Sequence, residues 1–282
     1  VAILNDYDSR WSIQAQKHHA EFDYVAHMLH YARPLAARNI SVDIISPAAP
    51  LAPYRLVIAP ALVVLNPQRA AALQTFVENG GHLVLTVRCG MKDEFNALLP
   101  HRQPGSLSRA AGVEVEDYYV LDVPAPVEGL GIEGAASMLW AERLRILPGA
   151  EVEVLARFGA FNGWLDGHPA VTRHLFGRGW VTYVGIYLEN LAHQQALLDE
   201  IVQACGVKPD LSTPPGVEAR RLVRPDGAEI YILINHTRQP IRLPLPWPAE
   251  DLITSGVGSN DQAPLPPLLS LEPYGVAVLR PR

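Results

Sequence analysis

Hydrophobic positions in this chain follow two rhythms, and the first is that of strands alternating with helices. The chain opens on the apolar run Val1-Ala2-Ile3-Leu4 and passes into the polar cluster Asn5-Asp6-Tyr7-Asp8-Ser9-Arg10-Trp11. A short apolar run bounded by turn-forming residues predicts a buried strand. From about residue 14 to 38 the spacing is helical, with Phe22, Val25, Ala26, Leu29 and Ala32 on one face. Pro34 is expected to kink or divide that helix. Val42-Asp43-Ile44-Ile45 and Leu56-Val57-Ile58-Ala59 predict the next two strands, and Leu83-Val84-Leu85-Thr86 a fourth. Before the fourth strand, residues 67–78 predict a helix opened by Pro67 and stopped by Asn79-Gly80-Gly81.

After residue 112 the β signal strengthens. Val113-Glu114-Val115-Glu116 and Glu151-Val152-Glu153-Val154-Leu155 alternate, Trp180-Val181-Thr182-Tyr183-Val184-Gly185 reads as another strand, and residues 189–205 predict a last helix ending at Gly206. Apolar strands separated by helices or crossovers predict a parallel sheet covered on both faces. The expected fold is therefore a flavodoxin-like, doubly wound α/β domain of the class I glutamine-amidotransferase type, over residues 1–208.

The second rhythm begins after Pro209-Asp210-Leu211-Ser212-Thr213-Pro214-Pro215-Gly216, a linker by composition (209–216). Residues 218–224, 229–235, 241–245 and 275–279 all read as short strands. The Arg224-Pro225-Asp226-Gly227 turn is the clearest hairpin signal, because Asp-Gly tolerates the positive φ of a tight turn. Residues 217–282 are thus expected to form a small antiparallel, β-sandwich-like domain.

Composition narrows the function. An apolar share of 49% and a charged share of 18% belong to an ordinary globular protein of 282 residues. The net charge of −6 argues against nucleic acid, which needs a basic face. The longest apolar runs fall far short of a membrane span. Two cysteines, Cys89 and Cys205, make no disulfide framework, so a cytoplasmic setting is expected. The chain starts on a core strand without Met, and we expect it to be part of a longer polypeptide.

In an open α/β sheet, function gathers outside the carboxyl ends of the strands. Two segments fall there: the loop from Asn5 to Trp11, and Val87-Arg88-Cys89-Gly90-Met91-Lys92-Asp93. Cys89 has the place of an amidotransferase nucleophile, on a tight turn where a helix dipole and a nearby His favour the thiolate. The turn departs from that pattern at Arg88. Where those enzymes carry His-Pro-Glu, this chain has Gly185-Ile186-Tyr187-Leu188-Glu189-Asn190, with no His to act as base. The alternative for Cys89 is a small buried residue.

His19, His27 and His30 approach one side of the first helix, yet no His-Glu-x-x-His occurs, and no metal site is assigned. Asp6 with Asp93 could make a carboxylate pair, against the alternative that both cap local backbone. The loop after the first strand has no glycine and therefore no phosphate cradle, and no cofactor is expected.

Together these segments resemble the middle domain of glycoside hydrolase family 42 β-galactosidases. The resemblance rests on Asn5-Asp6-Tyr7-Asp8-Ser9-Arg10-Trp11, Tyr54-Arg55-Leu56-Val57-Ile58-Ala59-Pro60, Phe76-Val77-Glu78-Asn79-Gly80-Gly81, and the run from Leu85 to Asn96. Ile232-Leu233-Ile234-Asn235-His236-Thr237 and Leu271-Glu272-Pro273-Tyr274-Gly275-Val276 resemble that family's C-terminal β-domain. The departure is Cys89, where the family pattern has Ser.

The resemblance implies a homotrimerisation domain and a small β-domain, with both catalytic glutamates in an upstream (β/α)8 barrel that this chain does not contain. It assigns no catalytic residue here. Tyr7, Arg10 and Trp11, of types that anchor interfaces, are expected at a contact or pocket rim. The alternatives are an amidotransferase-like hydrolase using Cys89, or a free-standing galactoside-binding module.

Overall fold

A computed structural model describes residues 1–131, 133–253 and 268–282. The elements of the first part are β1 (Ala2–Leu4), α1 (Tyr7–Ala15), α2 (Tyr24–Ala37), β2 (Asp43–Ile45), β3 (Leu56–Ala59), α3 (Pro67–Glu78), β4 (His82–Thr86), α4 (Ser108–Ala111), β5 (Val113–Gly129), β6 (Ala136–Ile146), β7 (Val152–Phe158), β8 (Pro169–Phe176), β9 (Gly179–Val184) and α5 (Leu191–Ala204). The second part holds β10 (Val217–Val223), β11 (Glu229–Asn235), β12 (Ile241–Pro244), β13 (Ala249–Asp251), β14 (Leu268–Leu271) and β15 (Val276–Pro281). The chain divides into two compact units, Val1–Pro34 with Val42–Val207, and Leu35–Ser41 with Lys208–Arg282.

Nine strands of the first unit make one sheet in the order β2-β1-β3-β4-β9-β8-β7-β5-β6. β2, β1, β3, β4 and β9 run parallel. The rest are antiparallel, so the sheet is mixed rather than parallel throughout. Its extension comes from β5, whose 17 residues pair with β6 along most of their length and with β7 at the end. β6 then curls back onto the segment after β9, through Glu142 N–H to Gly185 O and Met138 N–H to Tyr187 O, both 2.8 Å.

β1, β3 and β4 are buried along their whole length, as expected of apolar strands covered on both faces, with the polar ends of β4, His82 and Thr86, buried as well. The core around them includes Leu4, Val57, Leu73, Val77, Leu85 and Val181.

The helix expected over residues 14–38 begins only at Tyr24, and a separate helix, α1, fills the segment expected to be a loop. Residues 16–23 leave the helical path, with His18 at φ 67°, and α2 then runs through Pro34 undivided. Asp6, Asn66 and Asn190 each accept backbone N–H groups of the first turn of their helices, and Pro67 opens α3 as its sequence predicts.

The second unit carries a four-stranded sheet, β10-β11-β15-β13, and a two-stranded one, β12-β14. The hairpin at Arg224-Pro225-Asp226-Gly227 joins β10 to β11, with Gly227 at φ 84°. Its core gathers Leu211, Leu233, Leu243, Leu271 and Leu279. Asn39 is its polar pin: Oδ1 accepts from Ala219 N–H (2.8 Å), and Nδ2 donates to Thr213 Oγ1 (2.7 Å).

Candidate functional site

At the carboxyl ends of the parallel strands, the turn that follows β4 sits in a buried polar cluster. Arg88 holds this turn at φ 67°, and Gly90 follows at the same angle. A Cβ at Gly90 would meet Pro104 O at 2.6 Å, so the turn needs glycine there. His18, Ala61, Asn96 and Leu139 are also non-glycine residues with positive φ, so backbone strain collects at this end of the sheet.

Beneath the turn lies Glu142 on β6, fully buried. Its Oε1 accepts from Arg88 N–H (2.7 Å) and Trp140 Nε1 (3.0 Å), and its Oε2 accepts from the Tyr183 hydroxyl (2.8 Å). Burial raises the carboxyl to about 7, against the pull of these donors and of the Arg88 charge.

The Arg88 guanidinium lies over the rings of Phe22 (4.9 Å) and Trp140 (4.8 Å). It donates to Lys17 O (2.9 Å), Gln16 O (3.0 Å) and His18 Nδ1 (3.2 Å). These bonds satisfy carbonyls left without helical partners where the chain leaves α1. Burial lowers Arg88 to about 10 and also lowers His18, which the Arg88 charge depresses further. Lys92 reaches Asn96 Oδ1 at 3.0 Å.

The residues singled out in the sequence are placed as follows. Tyr7, Arg10 and Trp11 lie on α1 and not on a loop, because Asp6 caps the helix immediately after β1. Tyr7 and Trp11 are 54% and 60% exposed, with ring centroids 5.8 Å apart, and Arg10 is half-buried. Cys89 is buried in the core, and burial, then the neighbouring Glu142 charge, pushes its thiol well above the usual range. The strained position of its turn belongs to Arg88, a residue with no nucleophilic atom.

His27 is buried against Thr86 (2.9 Å) and His19 faces Asp122 (3.9 Å), so these two imidazoles point to different partners. No group of three His, Cys, Asp or Glu side chains among the described residues is placed to hold a metal. Asp6 is spent on Ser9 and Arg69, and Asp93 accepts from Phe95 and Ala97 N–H. The sequence reading passed over Glu142. Its signal is a carboxylate inside the apolar run Met138-Leu139-Trp140-Ala141-Glu142.

Fold and site together define a class: a mixed α/β module with an antiparallel β appendage, whose buried polar centre is spent on holding backbone. The profile of the beta-galactosidase trimerisation domain matches residues 1–208, and that of the beta-galactosidase C-terminal domain residues 216–281. The chain belongs to the family 42 β-galactosidases through these two domains.

It is 35% identical over 251 residues to the beta-galactosidase BgaH of Haloferax lucentense, covering 87% of this chain and 36% of that protein. It is 31% identical over 289 residues to the beta-galactosidase BglY of Alicyclobacillus acidocaldarius, covering 99% and 40%. The crystal structure of the beta-galactosidase from Bacillus circulans sp. alkalophilus superposes with a TM-score of 0.89 at 26% identity, over 100% of this chain and 41% of that one. The chain thus spans about two fifths of these relatives' length. Among the described residues, no helix is long and apolar enough to cross a membrane.

Proposed function

We propose that this chain is the non-catalytic portion of a cytoplasmic β-galactosidase and holds three subunits together, with α1 at the contact. The observation that carries this reading is the exposed Tyr7–Trp11 pair, on a helix fixed at its start by Asp6 and lying within the part that matches a trimerisation domain. Aromatic side chains on a rigid element are the usual anchors of protein interfaces. Arg10 stands beside them, and the same face helps wall a neighbour's active site. The catalytic barrel is a partner domain upstream in the parent polypeptide.

The flavodoxin-like reading of residues 1–208 draws support from the order of the five parallel strands, β2-β1-β3-β4-β9, which follows the 2-1-3-4-5 pattern of that fold. Residues 209–216 serve as the link to the β-sandwich-like domain of residues 217–282.

The test is sedimentation equilibrium of the chain and of its Trp11→Ala variant. The chain is expected to sediment as a trimer, and the variant to associate at least about tenfold more weakly. A trimer of undiminished affinity in the variant, with activity of the full-length enzyme unchanged, would sink the role given to α1.

A further inference from the structure

A closed ring of three identical chains repeats one heterologous contact, so each copy must present two different surfaces that fit each other. α1 supplies one of them. The other candidate is the loop of residues 159–168 between β7 and β8, whose polar groups are turned on itself. Asp166 Oδ1 accepts from the N–H groups of Phe161 (3.0 Å), Asn162 (3.1 Å) and Gly163 (3.0 Å). Asn162 Oδ1 accepts from Trp164 N–H (2.9 Å) and Leu165 N–H (3.1 Å).

Leu165 is buried and anchors the loop, while the Trp164 indole is left 64% exposed. A side chain presented on a loop already held in one shape loses little entropy on docking.

Charge tells the two surfaces apart. The 93–98 loop beside α1 is tied to it by Ser12 Oγ donating to Asn96 Oδ1 (2.7 Å). It carries Phe95, 84% exposed, and the exposed carboxylate of Glu94, which has no ion-pair partner among the described residues. At the base of the same loop stands Arg157, exposed, donating to Gly167 O (3.0 Å) and likewise without a carboxylate partner among the described residues.

Both surfaces lie at the carboxyl end of the parallel strands, since Gly185 N–H, just past β9, bonds to Ala170 O at the start of β8. They are nevertheless set apart across the sheet. Between β1 and β7 stand β3, β4, β9 and β8, a separation on the order of 24 Å at ~4.8 Å per strand. Two unlike patches at that spacing suit a head-to-tail contact around a three-fold axis.

We propose that Trp164 and Arg157 of one copy dock against Tyr7, Trp11, Phe95 and Glu94 of the next, closing the ring. The inference rests on the trimer reading above and gives that assembly its second surface.

Reciprocal charge reversal tests it, read by sedimentation equilibrium on the 282-residue chain, with circular dichroism melting to confirm that each variant folds. Glu94→Arg and Arg157→Glu are each expected to weaken association by about tenfold or more, and the double variant to recover most of that loss. Trp164→Ala is expected to weaken it at least about tenfold. If the parent chain trimerises and the double variant shows no recovery, or Trp164→Ala associates normally, the pairing is wrong and the trimer reading stands. A parent chain that stays monomeric at every concentration overturns the trimer reading itself.

Discussion

At the residue scale, the Glu142 carboxyl is unusual because its buried site has only hydrogen-bond donors around it. Burial nonetheless raises it to about 7. The folded chain therefore holds this proton more tightly than the unfolded chain, whose carboxyl titrates near 4.5. Through this group stability falls as pH rises from about 4.5 to about 7. His27 and His82 act in the opposite sense. Burial lowers them to about 3 and about 4, so the folded chain resists protonation and loses stability as pH falls below 6.5. Glu142→Gln is expected to remove the opposing slope due to Glu142, so that melting temperature rises with pH between 5 and 6.5 more steeply than in the parent, by a few degrees overall (~1 kcal/mol moves Tm about 2–4 °C at this size). An unchanged pH profile would count against the titration assigned to Glu142. Cysteine chemistry gives a second check. Cys205 is half-buried, with Sγ donating to Ile201 O (3.0 Å), whereas Cys89 is enclosed. In the native chain at pH 8 a thiol reagent is expected to label Cys205 first and Cys89 only after denaturation, with peptide mapping as the readout. Labelling of Cys89 at the rate of an activated thiol would reopen the nucleophile reading.

At the element scale, the starts of α3 and α5 were legible from local chemistry because a cap acts within one turn, whereas α1 starts at Asp6 inside a segment whose polar residues predict a loop. Asn190 accepts from Ala192 N–H (2.8 Å) and His193 N–H (3.3 Å) at the start of α5. Replacing it with Ala should cost about 1 kcal/mol by urea denaturation, and a loss near zero would show that the cap is idle. The 227 turn and the buried runs of β1, β3 and β4 were legible for the same reason, since sequence pattern and local geometry agree there. Two features were not. The break between α1 and α2 is held by a distant residue, Arg88, which bonds the carbonyls of Gln16 and Lys17 and the ring of His18. β6 and β8 were missed because their charged residues spoil the alternation. Arg173 on β8 pairs with Glu153 and Glu200, and Glu142 on β6 is matched by donors from other elements.

At the scale of the whole molecule, the proposed self-association uses what the fold leaves outside: the Tyr7–Trp11 pair, Phe95 and Trp164. Trp11→Ala and the exchange of Glu94 and Arg157 are the decisive changes at this scale. Contiguous residues are enough to identify the family, the buried parallel strands, helices α3 and α5 and the β-rich tail, because each is written in a local pattern. Long-range packing alone sets the mixed sheet, the sealed position of Cys89, the buried Arg88–Glu142 cluster and the exposed place of Trp164 on a loop closed by Asn162 and Asp166. Burial and long-range pairing are properties of where distant segments meet, and no local pattern of side chains records them.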